Sequence, residues 1–237
     1  MNAELINYTN NFEWESDPVQ SKPFFLNKHK WIFFSLIPVV TTIIAVNLQF
    51  SPAFTYTIGK ILMLMIPLYF VRLDECKFSI DFKNAFLSAA LLCIVPLLFI
   101  ALGFLNNLDP TPIADKLTSL GLENSFFLVA VFLSLVNAPI EEWFFRMYLL
   151  KETKGSDVKK CTINAILFMP HHFAVLILYF PLPYAILFTV GTGLASYAWS
   201  WMRLKGASFM SLAISHCICD IVVIYLAGSV LLQNKVL

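Results

Sequence analysis

Polar residues crowd the start of the chain and then give way to long apolar runs. Residues 1–30 mix both signs of charge with Pro18 and Pro23, and read as a polar N-terminal tail. From Trp31 the pattern predicts seven apolar spans, at about 31–50, 54–72, 85–105, 125–150, 161–180, 182–202 and 208–232. Each approaches the ~20 residues a helix needs to cross the ~30 Å hydrocarbon layer. The runs are continuously apolar rather than alternating, which selects helices over a barrel. The expected fold is therefore all-α: a polytopic transmembrane helix bundle of about seven helices over 31–237. The tail does not read as a signal peptide, because Glu13, Glu15 and Asp17 precede the first apolar run.

Composition agrees with the pattern. Hydrophobic residues make up 59% and charged residues 13% of the 237 positions, about half the charge of a typical globular domain. Such a chain cannot cover itself with polar surface. Sixteen basic against fifteen acidic residues leave a net charge of +1, without the basic face that nucleic-acid binding requires. The five cysteines, Cys76, Cys93, Cys161, Cys217 and Cys219, are odd in number and scattered through apolar segments. They form no disulfide framework and read as small packing residues.

The basic residues give the expected orientation. With the N-terminus inside, thirteen Lys and Arg fall on inner segments, among them Lys28, Lys30, Lys77, Lys151, Lys160 and Arg203. Only Lys116 and Lys235 fall on outer ones. This positive-inside bias predicts N-in, C-out. Lys60, assigned near the outer end of the second span, is expected to snorkel.

Ionisable groups in mid-bilayer cost at least ~2.5–3.5 kcal/mol each, so the exceptions are informative. They are Glu141, Glu142 and Arg146 in the fourth span, His171 and His172 in the fifth, and His216 and Asp220 in the seventh. At 1.5 Å per residue Glu141, His172, His216 and Asp220 lie about 14, 17, 12 and 18 Å from the inner ends of their helices. Three helices thus bring carboxylates and imidazoles to one layer. Glu142 and Arg146 are i,i+4 and can pair, which on its own is a structural arrangement. Glu141, about 100° away on an α-helix, is left without that counter-charge. His216 and Asp220 are again i,i+4, and Phe168 stands one turn before His172. His171 points to another face and reads as a spectator.

Glu141-Glu142-Trp-Phe-Phe-Arg146 resembles the EExxxR motif of the CPBP family, the type II CAAX prenyl endopeptidases and their bacteriocin-processing, Abi-like relatives. Phe168-Met-Pro-His171-His172 is similar to the family's FxxxH motif, and His216-Cys-Ile-Cys-Asp220 to its terminal HxxxN/D motif. The resemblance covers about residues 85–232. It implies an intramembrane endopeptidase that hydrolyses a peptide bond in a membrane-tethered protein or peptide. Glu141 and His172 would activate the water, His216 with Asp220 would meet the oxyanion, and Glu142 and Arg146 would brace the helix. Asn is the more familiar family residue at position 220, and an ionised Asp cannot donate to an oxyanion.

Two mechanisms stay open. One is metal-free with glutamate as base, and is the expectation. The other is a Zn2+ site using Glu141, His172 and His216 as ligands and Glu142 as base, since such a donor set with an open position is chemically sound. The rival class is a non-catalytic membrane protein, either a bacteriocin-immunity member of the same family or a proton-coupled transport subunit. Against transport, the spans show no inverted repeat. The expected location is a bacterial inner membrane and the expected partners are the lipid bilayer and the tethered substrate.

Overall fold

Eight helices and no strand occupy the described residues of the computed structural model, which are 30–71, 78–103, 109–119, 121 and 125–233. The polar tail up to residue 29, Arg72, Cys76 and Lys77 lie outside the described residues, as does Lys235. Helix α1 runs over Lys30–Thr42 and continues as a π-helical turn, Ile43–Asn47. It is followed by α2 (Pro52–Phe70), α3 (Phe82–Ala101) and the short α4 (Thr111–Ser119). Helix α5 spans Phe126–Glu152. Helices α6 (Asp157–Tyr179), α7 (Leu182–Leu204) and α8 (Phe209–Gln233) complete the set.

The seven expected spans all appear as helices, with differences. Helices α2, α3, α5, α6 and α8 are long and apolar enough to cross a membrane. The first apolar helix, Trp31–Asn47, is shorter than the expected 31–50. Helix α7 has the length, at 23 residues, but Thr189, Gly191, Thr192, Gly193, Ser196 and Ser200 make it less apolar than the five. Helix α4 falls in the stretch read as a connection, and adds 9 helical residues between the third and fourth spans.

Side chains on the long helices face outward over much of their length. Phe33, Tyr69, Phe127 and Leu194 are all exposed, as expected of helices whose outer surface meets lipid rather than water. The apolar core gathers instead around the second half of α5. Trp143, Phe144, Phe145, Met147, Tyr148 and Leu149 pack there with Met63 and Val71 from the α2 end and Phe168 from α6. Helices α6 and α7 form a hairpin turned at Phe180 and Pro181, and α8 packs on α3 and on the middle of α5.

Helix α5 is not a uniform α-helix. Leu133–Asn137 and Trp143–Leu149 are π-helical, on either side of the α-helical turn Ala138–Glu142. Each has a local cause. Pro139 lacks an N–H, and its ring would clash with the carbonyl four residues back, at Leu135. Widening the helix at Leu133–Asn137 opens that turn, and Ala138 N–H bonds to Leu133 O. In the second segment Asn164 of α6 inserts its amide, with Nδ2 donating to Phe145 O at 2.8 Å. That carbonyl also accepts from Leu150 N–H, and a side chain entering the ladder is a recognised cause of such a distortion.

Candidate active site

The turn Ala138–Glu142 between the two π-helical segments carries both glutamates inward. Glu141 is 2% and Glu142 0% exposed, so each carboxylate must find its partners within the protein. They find different ones.

Glu142 bridges two helices. Its Oε2 lies 3.3 Å from Arg146 Nε, the intrahelical pair expected from the spacing, and both side chains are fully buried. Its Oε1 accepts from His216 Nδ1 of α8 at 2.9 Å. The Arg146 guanidinium sits 4.8 Å from the Phe168 ring centre and 5.5 Å from that of Trp199, so aromatic faces supply part of its neutralisation. Trp199 also stacks on His216 at 4.3 Å, and donates Nε1–H to Ser215 Oγ at 3.1 Å.

Glu141 is paired with a residue from outside the three motifs. Lys60 Nζ of α2 donates to its Oε1 at 3.0 Å, and Asn137 Nδ2 donates to the same oxygen at 2.9 Å. The expectation of an unpaired Glu141 is corrected accordingly, as is that of a snorkelling Lys60. Lys60 is only 7% exposed and stands near the middle of its 19-residue helix. The signal is present in the sequence: a lysine inside an apolar span carries the same cost as the other buried charges.

Imidazoles from α6 and α8 stand beside both oxygens of Glu141. His171 is buried, with Nε2 3.6 Å from Glu141 Oε1, so it is no spectator in position. His172 is half-buried, and its Nδ1 lies 3.0 Å from Phe168 O. A carbonyl only accepts, so Nδ1 carries the proton and Nε2 is the free acceptor of the neutral ring. Phe168 packs on that ring at 4.4 Å between centroids. His216 Nε2 lies 4.0 Å from Glu141 Oε2 and 3.6 Å from Asp220 Oδ1. Asp220 is partly open, with 27% of its side chain exposed.

Ligand atoms of Glu141, His171 and His172 lie within 4.8 Å of one another. Glu141 Oε2 and both ring nitrogens of His171 are buried without a hydrogen-bond partner, so the donor set fits a divalent cation by type and spacing. It differs from the set expected from the sequence in having His171 in place of His216. Lys60 already places one positive charge against the same carboxylate. The buried layer thus sets two full cations, Lys60 and Arg146, against two carboxylates.

Residues 123–222 match the family described as type II CAAX prenyl endopeptidase Rce1-like. No curated protein and no solved structure gives a match. The matched stretch contains Glu141 to Arg146, the two adjacent histidines and His216 to Asp220, and it excludes Lys60. Over residues 123–222 this multi-pass helical membrane protein is thus similar to the Rce1-like type II CAAX prenyl endopeptidases.

Proposed function

We propose that this protein is an intramembrane endopeptidase that hydrolyses a peptide bond in a membrane-tethered protein or peptide. The observation that carries the reading is Glu141 Oε2, a buried carboxylate oxygen without a hydrogen-bond partner, 4.0 Å from His216 Nε2. Such an oxygen suits a water molecule that is to lose a proton.

Glu141 Oε2 and the unprotonated Nε2 of His172 hold and deprotonate the attacking water. The proton taken up is then delivered to the departing amine. His216, protonated on Nε2 as well as Nδ1, meets the oxyanion from the α8 side. Asp220 orients His216 or, when protonated, donates to the oxyanion itself. Glu142 and Arg146 fix the helix that carries the base.

The ammonium of Lys60 beside Glu141 supports the metal-free form of this mechanism. In the alternative form Glu141, His171 and His172 would hold Zn2+, which would supply an acidified water and polarise the carbonyl. The remaining features of the proposal are an N-in, C-out topology from the basic-residue bias, residence in a bacterial inner membrane, and a substrate held in or on the bilayer.

The test is cleavage of a membrane-tethered peptide library by wild type and Glu141→Gln, with metal analysis of the purified protein. Cleavage lost in Glu141→Gln without stoichiometric metal supports the glutamate mechanism. Bound zinc that disappears with His171→Ala or His172→Ala moves the reaction to the metal form. A well-folded wild type that cleaves nothing overturns the reading in favour of a binding or immunity role.

A further inference from the structure

Three contacts converge on one side of Glu141 and come from residues that the family match does not cover or the motifs do not name. Lys60 Nζ and Asn137 Nδ2 both donate to Oε1, at 3.0 and 2.9 Å. Tyr56 OH, one turn before Lys60, donates to Asn137 Oδ1 at 3.2 Å. That bond fixes which way the Asn137 amide faces, with its oxygen toward Tyr56 and its NH2 toward Glu141. Lys60 Nζ also sits 5.0 Å from the centre of the Tyr56 ring. One oxygen of the carboxylate is therefore held by two donors, and the other is left without any.

We propose that Lys60 is a positioning residue for the reaction: with Asn137 and Tyr56 it pins Oε1 of Glu141, so that Oε2 alone faces the substrate water. The inference rests on the reading of Glu141 as the base. Held this way, the carboxylate cannot rotate to exchange its two oxygens, and the accepting lone pair keeps one direction. Reactions of this kind lose about 10²-fold for a displacement of ~1 Å, so the hold on Oε1 has a measurable effect on rate. The backbone at Lys60 is itself fixed. Gly59 lies so close to α1 that an added Cβ would stand 2.4 Å from Thr41 Oγ1, and helix α2 cannot turn about its axis without opening that contact. The site is thus incomplete without α2, which lies wholly outside residues 123–222.

The experiment uses the full chain in nanodiscs with a membrane-tethered peptide that the wild type cleaves. Lys60→Met, Lys60→Arg, Tyr56→Phe, Glu141→Gln and the double variant Lys60→Met/Glu141→Gln are compared for kcat, KM and melting temperature. Expected for Lys60→Met is a fall in kcat of about 10²-fold with KM within about threefold. Lys60→Arg, which keeps the charge and a donor, recovers part of the rate, and Tyr56→Phe shows a smaller fall of the same kind. The double variant, with no buried charge left unpaired, melts higher than Lys60→Met.

A Lys60→Met protein that melts lower but keeps the wild-type kcat overturns the positioning role and leaves a structural ion pair. Should Lys60→Met fail to fold, Tyr56→Phe decides, and an unchanged kcat there overturns the inference. Cleavage retained by Glu141→Gln is a separate result, which overturns the reading of Glu141 as base.

Discussion

His216 Nδ1 lies 2.9 Å from Glu142 Oε1, so that the residue proposed to meet the oxyanion is held by the second glutamate of the motif, 74 positions earlier. The same carboxylate faces Arg146 through its other oxygen. Glu142 therefore ties α5 to α8 and links two of the three polar clusters. Removing it leaves the Arg146 charge buried without its carboxylate. Glu142→Leu is expected to cost about 3–5 kcal/mol, the usual penalty for breaking a buried pair from one side. Thermal unfolding in detergent reads this as a lowered melting temperature. Glu142→Leu/Arg146→Met should recover much of it, and a single variant that melts like wild type would contradict the bridging role.

Asp220 stands beside His216 Nε2 at 3.6 Å and is partly open. An amide at this position donates as well as accepts, whereas an ionised carboxylate only accepts. Asp220→Asn is therefore expected to keep or raise kcat on a tethered peptide. His216→Ala should lower kcat by about 10²–10³, the usual effect of losing an oxyanion donor. An inactive Asp220→Asn alongside an active His216→Ala would reverse the two roles.

Asn164 is fully buried between α5 and α7, donating to Phe145 O at 2.8 Å and accepting from Ser200 Oγ at 3.2 Å. Asn164→Leu removes both bonds while roughly keeping the volume. The expected cost is about 1 kcal/mol, since Phe145 O keeps its backbone donor and polar contacts within membranes are individually modest. Chemical denaturation in mixed micelles would show it as a lower midpoint.

Gly59 and Gly191 make a matched pair for packing. A Cβ at Gly59 meets Thr41 Oγ1 at 2.4 Å and Thr41 Cβ at 2.7 Å, while one at Gly191 meets nothing within 4 Å. Thr41 is also stiffened by its bond to Ile37 O at 2.7 Å. Gly59→Ala is expected to destabilise by about 1–3 kcal/mol through overpacking, and Gly191→Ala to leave the melting temperature unchanged. Equal effects at the two positions would show that α1 and α2 do not approach as closely as this.

Spacing within one helix is readable from the residues alone, and spacing between helices is not. The i,i+4 relation of Glu142 to Arg146 survives in the fold even though the intervening turn is π-helical. The common depth of Glu141, His172 and His216 is likewise a matter of counting along each helix. That Lys60 is costly to bury is legible, but the facing of Lys60 and of His171 is not. In a soluble helix an apolar stripe marks the inward face, but here the lipid-facing and bundle-facing sides are both apolar, so the sequence does not say which way a residue points. The α-helical step of 100° also fails through a segment with two π-helical turns, and no spacing rule foretells that Asn164 will enter the ladder at Phe145.

The π-helical turn at Leu133–Asn137 bears on how the chain tolerates a change in length. Deleting one residue from an ordinary α-helix rotates everything beyond it by about 100° relative to what precedes it, which here would swing Glu141 and Glu142 away from α2 and α8. A wide turn already holds more residues than an α-helical one. Removing one residue from 133–136 lets that turn close to the ordinary pitch while Phe126–Phe132 and Ala138–Glu142 keep their facing, with the Pro139 ring then set against the carbonyl four residues before it as the local cost. Single-residue deletions should therefore be better tolerated in this turn than in the α-helical turn Ala138–Glu142 that follows it.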